Sequence, residues 1–98
     1  MERKLHKKAV ILTKNEFRKL CKEVLVRDLY SCQLCGLSRI ELLVVHHLIT
    51  RGRLHLDILE NLLTLCSACH SLLHQGNLGI SIDELLEKYK YRLKDYLE

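Results

Sequence analysis

The 98-residue chain carries 16 Lys and Arg against 12 Asp and Glu, a formal charge of +4, with 48% hydrophobic and 29% charged residues. That balance belongs to a folded globular chain and excludes a disordered one, and the length is that of one domain. No apolar run approaches the roughly 18 residues of a membrane-spanning helix, and the charged start from Met1 to Lys8 followed only by Ala9 to Leu12 is too short for a secretory signal, so a cytoplasmic protein with no membrane partner is expected.

Residues 1–12 begin as a basic arm (Arg3, Lys4, Lys7 and Lys8) and turn apolar at Ala9 to Leu12, a short strand or an extended lead-in. Thr13 and Glu16 have capping-box spacing, and Phe17, Leu20, Cys21, Val24 and Leu25 follow at helical spacing, which predicts a helix over 14–29. Cys21 lies on its apolar stripe as a small hydrophobe. Leu42 to Val45 is an apolar run ending in two β-branched residues, a strand that reaches His46. Residues 49–60 lack a clean period and read as a loop. Leu62 to Leu65 predict a short returning strand, and the stretch from Cys69 a short helix that stops near Gly76 and Asn77. Ser81 and Glu84 form a second capping box, and Ile82, Leu85, Leu86, Tyr89, Leu93 and Tyr96 share one face of a closing helix over 82–97. The last helix also carries Lys88, Lys90, Arg92 and Lys94 as its solvated face.

Four of the five cysteines fall into two pairs, Cys32 with Cys35 and Cys66 with Cys69. Two thiolates three positions apart on a tight turn can grip one metal ion, and two such turns complete a tetrahedron, so the pattern predicts a structural zinc site. Gly36 supplies the left-handed residue that lets the backbone curl over the sulfurs. Disulfides are the competing reading, but they are rare in a reducing compartment. A redox pair would show one C-x-x-C inside a βαβ pattern rather than two.

His46 and His47 are adjacent at the end of the first strand, while His70 and His74 are four apart on the helix that leaves the second cysteine turn. An i, i+4 pair lies on one helical face, the spacing at which two imidazoles hold one metal. The zinc draws the two cysteine turns together, which lets His46 approach that helix and three imidazoles converge on a second metal. The bland alternatives are that His70 or His74 completes a mixed zinc site or caps the helix. Neighbouring strand residues point to opposite faces, so His46 and His47 enter one site only if the strand ends or kinks there. Such a break would leave one as a ligand and the other as a free base, the division that phosphodiester hydrolysis needs. Asn61 is either the amide that orients one imidazole or an ordinary turn residue.

The stretch from Arg27 to Gly36, then Val45, His46 and His47, then Glu60 to His70 with His74, resembles the HNH endonucleases over about residues 27–75. The size is similar to that of small stand-alone phage and bacterial members. The resemblance implies an α+β fold of the small ββα-metal (His-Me finger) type, stapled by a four-cysteine zinc with flanking N- and C-terminal helices. Taken with the elements read above, the chain divides as a single domain (1–98) into a basic arm (1–12), an N-terminal helix (13–30), the zinc and ββα-metal core (31–76) and a C-terminal helix (81–98). It also implies metal-dependent cutting or nicking of DNA, double-stranded by expectation. Carried over by position, His47 is the general base and Asn61 orients it, while His46, His70 and His74 are candidate ligands of a catalytic divalent ion. Imidazole suits Mn, Ni or Zn, whereas Mg prefers oxygen ligands. Many members have Pro shortly after the His pair; here Leu48, Ile49, Thr50, Arg51, Gly52 and Arg53 follow.

Arg51 and Arg53, in the loop beside the His pair, are expected to contact DNA phosphates. Nothing in the chain reads as a recognition helix, so weak sequence preference is expected. Two other readings use the same cysteines: a zinc-dependent DNA-binding module that does not cut, and a subunit active only within a larger phage packaging or restriction complex. The first has no use for His46, His47, Asn61, His70 and His74 together.

Overall fold

The computed structural model describes residues 9–96, which leaves Arg3, Lys4, Lys7 and Lys8 of the basic arm outside the described residues. The fold is a small α+β arrangement built around one two-stranded antiparallel sheet.

Helix α1 spans Lys14–Arg27, and its capping box is formed in both directions: the Thr13 hydroxyl accepts from the Glu16 amide at 3.2 Å, and Glu16 accepts from the Thr13 amide at 2.9 Å. The helix stops two residues short of the expected Leu29. The reason is Asp28, whose carboxylate is engaged by the Arg27 guanidinium at 2.8 and 2.9 Å and by the amide of Thr64 at 2.9 Å. Arg27 continues across to the carbonyls of Leu59 at 2.7 Å and Leu62 at 2.5 Å, so one ion pair rivets the end of α1 to the sheet. Leu29 and Tyr30 then take left-handed φ values of 57° and 53°, a conformation costly for residues with a Cβ, and turn the chain towards the first cysteine pair. There Gly36, at φ 82°, donates to the Cys32 carbonyl at 2.9 Å, the left-handed turn expected of it.

After a 3-10 turn (Ile40–Leu42), strand β1 (Leu43–His47) pairs with β2 (Leu62–Cys66) from Leu43 opposite Cys66 to His47 opposite Leu62. β1 therefore starts one residue later than the sequence suggested and runs through both histidines. All five residues of β2 are buried. Alternation is lost there because α1 covers one face of the strand and helix α2 (Ser67–Gln75) the other, as in any sheet sandwiched between helices. α2 ends at Gly76, with φ 77°.

Between the strands, the loop expected over 49–60 carries a short 3-10 turn (Leu59–Asn61) and buries Leu48, Ile49 and Leu56. Val10 makes a parallel bridge to Leu56: its amide donates to the His55 carbonyl, and its carbonyl accepts from Asp57, each at 2.8 Å. The extended lead-in thus becomes a strap over the loop. Helix α3 (Ile82–Tyr89) starts at the second capping box, formed by Ser81 and Glu84. It was expected to run to 97, but the α-helix ends at Tyr89 and tightens into a 3-10 turn (Lys90–Leu93). This turn buries Leu93 and packs on the Leu59–Asn61 turn, while Arg92 lies over the Tyr89 ring at 4.6 Å rather than in solvent with its neighbours.

The core is almost wholly aliphatic. Leu48, Ile49, Leu56, Leu63, Leu65, Leu73, Leu85 and Leu93 form one buried cluster that also takes in Cys32, Cys66 and Cys69. Each such leucine contributes roughly 2 kcal/mol by leaving water. Among the described residues no helix is long and apolar enough to cross a membrane.

Candidate functional site

The two cysteine turns meet. The sulfurs of Cys32, Cys35, Cys66 and Cys69 all lie within 4.8 Å of one another. Cys35 and Cys66, 31 positions apart, have their sulfurs at 3.7 Å. A disulfide would bring them to about 2.05 Å, whereas the edge of a tetrahedron with Zn–S bonds of about 2.3 Å is about 3.8 Å. Backbone amides point at two of the sulfurs: the Cys35 amide donates to Cys32 Sγ at 3.4 Å and the Cys69 amide to Cys66 Sγ at 3.3 Å. Burial alone would raise the Cys32 thiol, but backbone donors at Cys35, Cys66 and Leu34 outweigh it and bring the pKa down to about 7. Cys69 goes the other way, pushed up by burial and by the sulfurs around it, because four thiolates cannot crowd together without a cation. The donor set fits a closed, four-sulfur zinc site.

A second cluster lies at the other end of the hairpin. His46 shares the sheet face of its partner Leu63, towards α2, where its ring sits 5.4 Å from that of His70 and 5.6 Å from that of His74. The one-turn spacing of His70 and His74 brings their Nε2 atoms to 3.2 Å. Ligand nitrogens of all three imidazoles lie within 4.8 Å of one another. His46 is buried, and its Nε2 has no hydrogen-bond partner among the described residues. An orphaned buried nitrogen is rare in native folds. Burial first, and then the charges of His70, His74 and His47, pull the His46 pKa down to about 4, so at neutral pH it is the unprotonated imidazole a metal requires. The donors fit an imidazole-rich site for a divalent ion, with His70 and His74 partly open to solvent.

His47 is not part of that cluster. β1 does not break between the two histidines, and His47 faces α1, with its ring stacked on Phe17 at 5.7 Å and an interplanar angle of 11°. Its Nε2 lies 2.9 Å from Asp57 Oδ1. Burial lowers its pKa, against the raising effect of Asp57. The expected contact between Asn61 and an imidazole is replaced by another arrangement. Asn61 is fully buried, and its amide accepts from the Ile49 amide at 2.8 Å and donates to the carbonyls of Ile49 at 3.2 Å and Leu56 at 3.0 Å. With the Leu48 amide also on its own carbonyl at 2.8 Å, Asn61 fastens both sides of the loop. The hydrogen bonds of its side chain all go to backbone groups of the loop and none to His47.

Asp57 and His55 were missed by the sequence reading. Both carboxylate oxygens of the buried Asp57 are engaged, Oδ1 by His47 and Oδ2 by His55 Nε2 at 2.9 Å and the Leu12 amide at 3.2 Å. Burial by itself would raise this carboxyl, but the donors from His47, Leu12 and His55 together hold it below the ordinary carboxylate range. The signal was present: His55 and Asp57 alternate around the apolar Leu56, the pattern of an extended segment with two polar side chains on one face.

Of the two loop arginines, Arg51 folds back, with its guanidinium 4.9 Å from the Phe17 ring centre and 3.5 Å from Asp57 Oδ1. Arg53 is more exposed and only 3.8 Å from the exposed Asp83. It borders a groove of about 460 Å³ that also touches Thr50, His74 and Ser81 and so opens beside the imidazole cluster.

No curated protein and no solved structure matches the chain. Residues 32–76, from the first cysteine of the sulfur cluster to the glycine that ends α2, match the family model described as HNH endonuclease. That segment holds both cysteine pairs, both strands and all three clustered imidazoles, so the likeness to the HNH endonucleases falls on the part of the fold that carries both donor clusters.

Proposed function

We propose that this protein is a metal-dependent endonuclease that cuts or nicks DNA, with a structural zinc in the four-cysteine cluster and a catalytic divalent ion on His46, His70 and His74. The observation that carries the reading is the convergence of those three imidazoles around a buried, unpartnered Nε2, inside the segment that matches a nuclease family.

A divalent ion bound there supplies charge that stabilises the phosphate oxygens and the departing 3′ oxygen. The remaining roles fall to the chain. His47, held neutral by burial, accepts a proton from water. The water oxygen forms the new bond to phosphorus in line with the bond that breaks. The 3′ oxygen leaves with that bonding pair and takes a proton from solvent, giving a 5′-phosphate and a 3′-hydroxyl. DNA lies across the open end of β1, where the strand stops at His47 and the arginine-bearing loop begins. Arg53, with its weak internal pairing, is the better phosphate contact of the two arginines.

The test is relaxation of supercoiled plasmid by metal-stripped, zinc-reconstituted protein with Mg, Mn, Ni or Zn added back, beside His46→Ala and His47→Ala. Metal-dependent cleavage lost in both variants is expected. A folded, zinc-loaded wild type that binds DNA and never cuts it would move the protein to the non-catalytic binding class.

A further inference from the structure

Asp57 holds His47 from one side while carrying the fold from the other, and its two oxygens divide the labour. Oδ2 takes the structural contacts, the Leu12 amide and His55, while Oδ1 faces His47 at 2.9 Å with Arg51 at 3.5 Å. An ionised carboxylate only accepts hydrogen bonds. The nitrogen that meets Oδ1, Nε2 of His47, must therefore carry the hydrogen, which leaves Nδ1 with the free lone pair. Nδ1 has no partner among the described residues. Phe17 fixes the ring plane by stacking, so the imidazole is constrained on one face and one edge. Asn61 cannot do this, because its amide is committed to Ile49 and Leu56.

We propose that Asp57 is the positioning residue of the catalytic histidine: it fixes the Nε2–H tautomer of His47, makes Nδ1 the atom that receives the proton, and faces the imidazolium formed when it does. This rests on the reading of His47 as the base. A carboxylate behind a base histidine stabilises the cation that forms and keeps the reactive nitrogen outward, and its loss slows turnover far more than it weakens substrate binding.

The informative substitution is Asp57→Asn, which keeps shape and removes charge. The Leu12 amide is a fixed donor, so the new carbonyl oxygen turns to it and the new NH2 group turns to His47. An NH2 group needs an acceptor, and His47 can meet it only by moving its hydrogen to Nδ1. The readout is the imidazole ¹⁵N spectrum of the zinc-loaded protein at about pH 8, above the ordinary histidine pKa of about 6.5, with the His47 signals identified by their loss in His47→Gln. The wild type should show the Nε2–H form. Asp57→Asn should show the Nδ1–H form, with kcat down by about 100-fold or more and KM within about twofold. An Nδ1–H tautomer in the wild type overturns the inference without any variant having to fold. An unchanged tautomer in folded Asp57→Asn overturns it as well. If the tautomer inverts while kcat stays at the wild-type level, the positioning role is again wrong. Should His47→Ala cleave normally, the reading of His47 as base fails by itself, and the spectra still report whether Asp57 orients the ring.

Discussion

Asn61 and Ile49 pair twice, side-chain amide to backbone amide, with Oδ1 accepting at 2.8 Å and Nδ2 donating at 3.2 Å. This imitates the exchange between facing residues of an antiparallel sheet and, with the Leu48 amide on the Asn61 carbonyl, extends the β1–β2 ladder past its last paired strand position, His47 with Leu62.

Asn61→Ala should therefore act first on stability. It leaves the Ile49 amide and the Leu56 carbonyl buried without partners, at about 1–3 kcal/mol for each group. Urea unfolding of zinc-loaded protein should show a loss of about 2–6 kcal/mol, with cleavage reduced even where the variant remains folded, because the loop that carries Asp57 is loosened. A variant of unchanged stability would contradict the fastening role.

The four-cysteine cluster joins segments that the hairpin alone would hold weakly, since a two-stranded sheet is marginal by itself. Binding of a structural zinc in small domains is worth on the order of 10 kcal/mol and is coupled to folding. Chelation, or Cys66→Ser, should abolish the cooperative thermal transition seen by circular dichroism, in proportion to the zinc lost by elemental assay. A metal-free protein that melted at the holoprotein temperature would refute a structural zinc.

Removing the buried imidazole should separate metal binding from folding. In His46→Ala, titration calorimetry with Mn or Ni should show affinity reduced by about 100-fold or more, since disturbing even residues behind metal ligands costs 10- to 100-fold. The zinc content of the sulfur cluster should not change. Equal Mn or Ni affinity in this variant would show that the ion binds elsewhere.

Asp28 gives a pH signature. Burial would raise its carboxyl, but hydrogen bonds from Arg27 and the Thr64 amide prevail and hold it below the ordinary value of 3.8. A carboxyl depressed on folding stabilises the fold fully above its unfolded pKa, and that contribution is lost as pH falls through the folded value. The stability difference between wild type and Asp28→Asn should be constant from about pH 7 to pH 5 and shrink below about pH 4. Urea unfolding of the two proteins in parallel across that range measures it, and a difference that grew on acidification would reverse the sign of the argument.

Arg53 and Arg51 should separate in a salt series on catalytically inactive protein. Removing one cation from a DNA phosphate flattens the slope of log affinity against log salt by about 0.9. Arg53→Ala should show that change. Arg51→Ala should show less of it, because its guanidinium already lies on Phe17 and Asp57, and should lose stability instead. Fluorescence anisotropy with a short duplex reads both slopes, and identical slopes for the two variants would remove the distinction.

Features decided by neighbours in sequence were legible from sequence. The boxes at Thr13 with Glu16 and Ser81 with Glu84 form as spelled, and Cys32, Cys35, Cys66 and Cys69 gather as their spacing requires. His46, His70 and His74 were also legible, because strand end, cysteine turn and helix pitch together decide their meeting. What could not be read depends on the path of the loop. Asn61 looked like an orienting amide because nothing local shows that Ile49 and Leu56 present bare backbone groups to it. The local pairing of Asp57 with His55 was there to be read, but its reach to Leu12 and His47, 45 and 10 positions away, was not. The ends of α1 and α3 moved for the same reason: Asp28 answers to Thr64, and Leu93 to the turn at Leu59–Asn61.

Placing His46 and His47 on opposite faces of β1 makes the chemistry a matter of odd and even positions. A slip of one residue between β1 and β2 would send the imidazole that now faces His70 and His74 to Phe17 and the other to α2, exchanging their surroundings without changing composition. The ribbon is pinned against this at both ends, by the cysteine cluster at Cys66 and by the amide pair at Asn61. A single residue inserted after Val44 should therefore be more damaging than two, since two restore the parity of everything that follows.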